Sequence, residues 1–265
     1  MGEYDKSTST LSGAGFAPAP TGAALSGTAH VRGIASSISH TTTASLRTRA
    51  NFAVQHMLAA SRFARMVGEI EVAHAGESSG PFFDEIISYA STTILTSAAG
   101  LEAYINELFI DADTNFPEYR QGASTDLWNF LWREFEKKPT LEKYQLALDL
   151  KKQPRIPKGE KSSARSNFEA AGVLIAARDA LIHFKPQWDD EEKSHRNLAN
   201  LLLKHAVPPS PFYTSALFPH GFMCHAMAVW SVTTCLQFVE AFSQRAGLDN
   251  KFDGFVDQFT TSNNP

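Results

Sequence analysis

The stretch from Pro81 to Ile110 carries apolar residues on more than one face of a helix. Phe83, Ile86, Ile87, Ala90, Ile94, Leu95, Ala98, Leu101, Tyr104, Ile105 and Leu108 recur at three- and four-residue spacing. A helix apolar over so much of its circumference must be surrounded by other elements, so this one is expected at the centre of a bundle. Glu102 and Asn106 lie in its last third, four residues apart and hence on one face.

Neighbouring segments supply the surround. Ala44 to Ala75 reads as a helix through Leu46, Val54, Met57, Leu58, Phe63, Met66, Val67 and Ile70. Gly76 and Pro81 mark its stop and the next start. Residues 111–123 are a turn-rich connection. Helices are predicted from Thr125 to Lys137, Pro139 to Leu150, Ser166 to Pro186, Asp189 to about Ala206 and His220 to Arg245, with Gly247 closing the last. Pro208, Pro209 and Pro211 stiffen a connector. Phe252, Phe255 and Phe259 form a stripe expected to pack back on the bundle. Alternating β-branched runs and Asn-Gly turns are lacking. The fold class read from this pattern is all-α, an up-and-down helical bundle of about five to seven helices. Residues 1–40, rich in Ser, Thr, Gly, Ala and Pro, are expected to be a disordered tail, and residues 41–265 the bundle.

The net charge of −4 gives no global signal for nucleic acid, but leaves room for a local basic patch. Cys224 and Cys235 are too few for a disulfide scaffold, which suggests a reducing cytoplasm. A basic leader with an apolar run behind it is missing, and Lys6 stands where a myristoylation signal on Gly2 needs Ser or Thr. The longest apolar run, Gly221 to Phe242, contains His225, Gln237 and Glu240 and reads as a buried core helix, so no membrane partner is expected. Nucleophile-elbow, phosphate-loop and paired-His metal motifs are lacking. Gly13-Ala-Gly15 has no strand before it. Asp189, Asp190, Glu191 and Glu192 near His195 read as a helix N-terminus rather than a metal site. His220, Cys224 and His225 have no second ligand pair to complete a zinc site. No cofactor and no metal are called for.

Two adjoining features resist a purely structural account. Residues 151–165 hold Lys151, Lys152, Arg155, Lys158, Lys161 and Arg165 against Glu160 alone. Such a run is either solvated surface or a contact for phosphates. The apolar helix behind it, with Phe168, Val173, Leu174, Ala177 and Leu181 as its buried face, ends in Arg178, Asp179 and His183, just before Lys185-Pro186. His183 can move protons near neutral pH. Asp179 is spaced to orient it. Arg178 offers a planar fork for a phosphate. Arg178 and His183 are about 140° apart around an ideal helix, so a groove at the helix edge, or a second copy across a dimer axis, fits better than one compact site. The same residues also suit a structural role, with His183 answering the helix C-terminus and Arg178 paired to Glu102.

Arg178-Asp-Ala-Leu-Ile-His183 resembles the R-x4-6-H motif of the HEPN superfamily, and Leu101-Glu-Ala-Tyr-Ile-Asn-Glu-Leu-Phe109 is similar to the second helix of its bacterial members. The resemblance implies a four- or five-helix bundle that dimerises around facing motif helices and cleaves RNA without metal. It implies His183 as general acid or base at the 2′-hydroxyl and leaving oxygen, and Arg178 on the scissile phosphate. Asp179 orients the site where many members have Asn. Glu102, with Asn106 beside it, supports Arg178. Lys151, Lys152, Arg155, Lys158, Lys161, Arg165 and Lys185 are the candidate RNA contacts. A toxin or defence role with an antitoxin or other protein partner follows from the same resemblance. The alternatives are a non-catalytic helical binding or assembly module and a small-molecule- or nucleotide-binding bundle.

Overall fold

A computed structural model describes residues 25–31, 42–48, 50–78, 80–114, 124–156, 163–186, 193–213, 215 and 217–262. The chain divides into two units after Asn51. In the first, β1 (Leu25–Val31) and β2 (Thr42–Thr48) pair antiparallel, with Leu25 opposite Thr48 and Val31 opposite Thr42. This departs from the sequence reading, which expects a structureless tail to residue 40 and a helix from Ala44. Leu25, Gly27, Ala29 and Val31 alternate with Ser26, Thr28 and His30, and Ala44 and Leu46 with Ser45 and Arg47, but the alternation is faint because it rests on small residues and few β-branched ones.

The second unit, from Phe52 onward, is all-α. Its helices are α1 (Ala53–Ala73), α2 (Phe82–Thr114), α3 (Thr125–Phe135), α4 (Thr140–Leu150), α5 (Ser163–Ile182), α6 (Lys193–Lys204) and α7 (His225–Ala246), with short 3-10 turns at His220–Phe222 and Asp253–Gln258. The long helices α1, α2 and α7 pack on one another as the centre of the bundle. Helix α5 lies on α7 and α2, α4 on α2 and α7, and α6 on α5.

Helix α1 starts at Ala53, nine residues later than the apolar spacing suggests. Its start is fixed from outside. Oε1 of Glu107, on α2, accepts the Phe52 and Ala53 backbone N–H groups at 2.6 and 2.8 Å. A carboxylate there answers exposed amides and the positive end of the helix dipole. Helix α3 is capped locally, the Ser124 hydroxyl accepting from Leu127 N–H. Gly247 ends α7 with φ of 63°, a left-handed position that suits a residue without a side chain. Helix α5 starts at Ser163, so Ser166 and Glu169 lie inside it rather than at its expected cap and first turn.

The buried stripe of α1 is Ala53, Met57, Ala60, Ser61, Ala64 and Val67, largely small residues. Small side chains let α2 and α7 approach closely. A Cβ on Gly100 of α2 would stand 2.9 Å from the Met57 sulfur, and one on Gly68 would stand 2.9 Å from Nε2 of His225. Helix α4 is nailed to this centre by Tyr144. Its fully buried ring meets Phe238 and Phe242 edge-on, at 4.8 and 4.7 Å between centroids, and its hydroxyl donates to the Leu101 carbonyl at 2.8 Å. Such rings contribute area burial and a further edge-to-face attraction.

The segment after α7 returns across the bundle. Phe252 and Phe259 are buried and Phe255 packs beside them, as the stripe predicts. Arg65 Nη1 donates to the Thr260 carbonyl at 2.6 Å, and the His225 ring nitrogen Nε2 lies 2.9 Å from the Thr261 carbonyl. No helix among the described residues is long and apolar enough to cross a membrane.

Candidate functional site

Three helices converge on the candidate site. Tyr144 fixes α4 beside Leu101, and this places the preceding residue, Lys143, against the next on α2, Glu102. Lys143 is 1 % exposed. Its ammonium donates to Asn106 Oδ1 at 2.9 Å, lies 3.7 Å from Glu102 Oε1, and sits 5.9 Å from the Trp132 ring centroid. From the other side, α5 brings Arg178, whose Nη1 is 3.9 Å from Glu102 Oε2. Arg178 Nε is 2.9 Å from Asp179 Oδ1. The angle is wrong for a hydrogen bond, so the contact is an ion pair and the buried Nε–H has no hydrogen-bond partner among the described residues.

The cluster is graded in burial. Lys143 is enclosed, the Arg178 side chain is 25 % exposed, Glu102 40 % and Asp179 53 %. The polar row is therefore enclosed at its α4 end and opens to solvent on the α2 and α5 side. His183 follows immediately after α5 and is exposed, its backbone N–H still donating to the Asp179 carbonyl at 2.9 Å. Exposed Ile182 and Phe184 flank it. The Phe184 ring stacks on His195 at 5.5 Å with the two planes 2° apart, and His195 meets buried Phe218 edge-on.

Of the residues singled out in the sequence, the structure thus brings together Glu102, Asn106, Arg178 and Asp179. It corrects the partnership of Asp179, whose carboxylate pairs with Arg178 and not with the His183 imidazole. Adjacent residues on a helix point about 100° apart, but the long arginine side chain folds back to reach its neighbour. His183 stands apart, without a side-chain partner among the described residues.

Lys143 escaped the sequence reading. The signal was there: Thr140, Lys143, Tyr144, Ala147 and Leu148 form one buried stripe at helical spacing, and a lysine in such a stripe is rarely buried without a partner.

The basic loop is less free than its composition suggests. Arg155 lays its guanidinium along Asp149, Nε reaching both carboxylate oxygens at 2.9 Å. Ile156 is buried, and its backbone exchanges hydrogen bonds with the Gln145 amide. Arg245 Nε donates to the Pro154 carbonyl at 2.8 Å. Lys151, half-buried, and the exposed Lys152 follow α4, and Lys185 is exposed beyond His183. Lys158, Lys161 and the side chain of Arg165 lie outside the described residues, as do Asp189, Asp190, Glu191 and Glu192.

Other reactive groups have other duties. His225 holds the Thr261 carbonyl, His220 stacks on Tyr213, and Cys224 is buried against the Pro208 carbonyl. Burial pushes the Cys224 thiol up to about 11 and raises Cys235 as well, so neither is a ready thiolate. Among the described residues no three His, Cys, Asp or Glu side chains gather to hold a metal ion. Chemically, the arrangement offers a partly exposed guanidinium between two carboxylates, with a free imidazole about a turn further on. Compared with known proteins, the chain matches no family model, no curated protein and no solved structure.

Proposed function

We propose that the chain is an endoribonuclease of HEPN type, acting in the cytoplasm as a homodimer in a toxin or defence role that an antitoxin or other protein partner restrains. The observation that carries this reading is a part-exposed Arg178 with an unsatisfied Nε–H and, five residues further along the chain, an exposed, unengaged His183 at the solvent end of the same helix. In this reading Arg178 holds the scissile phosphate and stabilises its growing charge. His183 takes the proton of the 2′-hydroxyl as that oxygen attacks the adjacent phosphorus, or returns a proton to the departing 5′-oxygen. The products are a 2′,3′-cyclic phosphate and a 5′-hydroxyl. Lys151, Lys152 and Lys185 supply salt-sensitive contacts to the strand.

The purified chain is expected to cut RNA in EDTA, and His183→Ala and Arg178→Ala to abolish cutting. Equal behaviour of wild type and His183→Ala sinks the proposal. One observation favours a second reading, a non-catalytic helical binding or assembly module. Asp179 and Glu102 both lie on Arg178, which suits a structural ion pair as well as a phosphate site. That reading expects His183→Ala to lower the melting temperature while no nuclease activity exists to lose.

A further inference from the structure

Lys143 has no part in the chemistry described above, yet it is the most enclosed charge near Arg178. An apolar side chain of similar length would fill its place between α4 and α2 at lower desolvation cost. Its partners indicate what the charge does. The Glu102 carboxylate is stretched between two cations, with Oε1 at 3.7 Å from Lys143 and Oε2 at 3.9 Å from Arg178. Both distances exceed ordinary hydrogen-bond length. A carboxylate and a guanidinium left to themselves close into a shorter, two-pronged pair. Asn106 accepts from Lys143 at 2.9 Å and so anchors the ammonium beside the Glu102 oxygen that does not face Arg178.

We propose that Lys143 is a positioning residue: it draws the Glu102 carboxylate back from Arg178 and so keeps the guanidinium open to an incoming phosphodiester. The identity of that anion rests on the ribonuclease reading, whereas the pull on Glu102 does not. Charge counting supports the role. Lys143 and Arg178 balance Glu102 and Asp179, so the four side chains sum to zero. Without Lys143 the same place carries a net negative charge, which repels phosphate. Lys143 lies on a different helix from Arg178, so the α4–α2 contact that Tyr144 secures becomes part of the site's electrostatics.

The test uses the full chain carrying His183→Ala, so that bound RNA is not consumed. Two quantities are read: affinity for a short fluorescein-labelled single-stranded RNA in EDTA, and the nitrogen–proton correlation of the Arg178 Nε–H. Lys143→Met is expected to shift the Arg178 signal and weaken RNA binding about tenfold, the scale of one lost charge-assisted contact. Lys143→Met/Glu102→Gln, which also removes the competing carboxylate, is expected to restore both. The double variant buries no unpaired charge at this point, and it serves as the folded comparison if Lys143→Met alone does not fold. In that case restored binding in the double variant supports the proposal, and binding as weak as that of a Lys143→Gln variant overturns it. An unmoved Arg178 signal in Lys143→Met overturns the positioning role whether or not RNA is cut. A shifted and rescued Arg178 signal in a chain whose wild type neither binds nor cuts RNA keeps the positioning role and discards the ribonuclease.

Discussion

Helix α2 carries two polar clusters within ten residues, and they are built on opposite principles. Tyr104, Glu107 and Asp111 face one way, toward α1, α7 and the returning C-terminal segment. Lys251 lies 2.6 Å from Asp111 and 4.0 Å from Glu107, and the Tyr104 hydroxyl meets Ser243 at 3.0 Å. Asp111 is 1 % exposed and Tyr104 likewise, and burial pushes the Tyr104 phenol up to about 12. This cluster is largely enclosed, with the Lys251 and Glu107 side chains only 15 % and 12 % exposed. The second, Glu102 and Asn106 with Lys143 and Arg178, starts equally deep but ends in solvent. A closed polar cluster fixes how helices meet, because any unpaired member is costly. One that is buried at one end and wet at the other holds a charge rigidly while leaving it reachable, which is what a binding site requires.

The contrast can be broken most directly at Lys251. Lys251→Met leaves the Asp111 carboxylate buried without that cation and is expected to cost about 3–5 kcal/mol in denaturant unfolding. If the chain cuts RNA as proposed, cleavage per folded molecule is expected to stay unchanged. A loss of cleavage without a loss of stability would make the two clusters one functional unit. Gly68→Ala probes the closed side more gently. The new Cβ drives the His225 ring off the Thr261 carbonyl, an overpacking cost of about 1–3 kcal/mol that thermal melting reads.

Acid titration sharpens the same distinction. Burial raises the Glu107 carboxyl above its ordinary 4.5, with the Phe52 and Ala53 amides and Lys251 pulling the other way. The folded state therefore holds that proton more tightly than the unfolded chain. The associated stability is full below pH 4.5 and is lost as pH rises through the folded value. Glu107→Gln is expected to gain on wild type as pH climbs from 4.5 toward neutral, measured by melting across that range. The smallest stability effect belongs to the open cluster. Asp179→Asn is expected to change unfolding by less than about 1 kcal/mol, because its pair with Arg178 lies partly in solvent. A larger loss would place Asp179 among the closed, structural carboxylates.

Much of this architecture was legible in the sequence, and the exceptions are instructive. Phe83 to Leu108 announced a surrounded helix, and α2 is at the centre. Gly247 and the Phe252–Phe259 stripe were read correctly because each signal is local. The start of α1 was misplaced because it is set by Glu107, more than fifty residues away, and no local pattern encodes that hydrogen bond. The strands at Leu25–Val31 and Thr42–Thr48 escape because their alternation rests on small residues, Gly27, Ala29 and Ala44, rather than on β-branched ones. At the site, the Arg178–Glu102 pairing was anticipated from charge alone. The binding of Asp179 to Arg178 was not, since helical spacing favours His183 and only side-chain geometry decides between them. Lys143 was overlooked because a lysine directly after Glu142 reads as surface until the stripe it shares with Tyr144 shows which way the helix faces.

The contacts of Thr260 and Thr261 also govern when the bundle can assemble. Arg65 and its carbonyl partner are 195 positions apart, and α7 joins a pair of helices made much earlier in synthesis. Helices α1 and α2 can dock as a hairpin while the chain is still being made, but their third face stays bare until α7 and the segment behind it have emerged. Contacts so distant in sequence slow folding and lengthen the interval in which apolar surface is exposed. A nascent chain stalled before residue 260 would carry the Arg178 helix complete and yet lack the clasp that closes the core over α1.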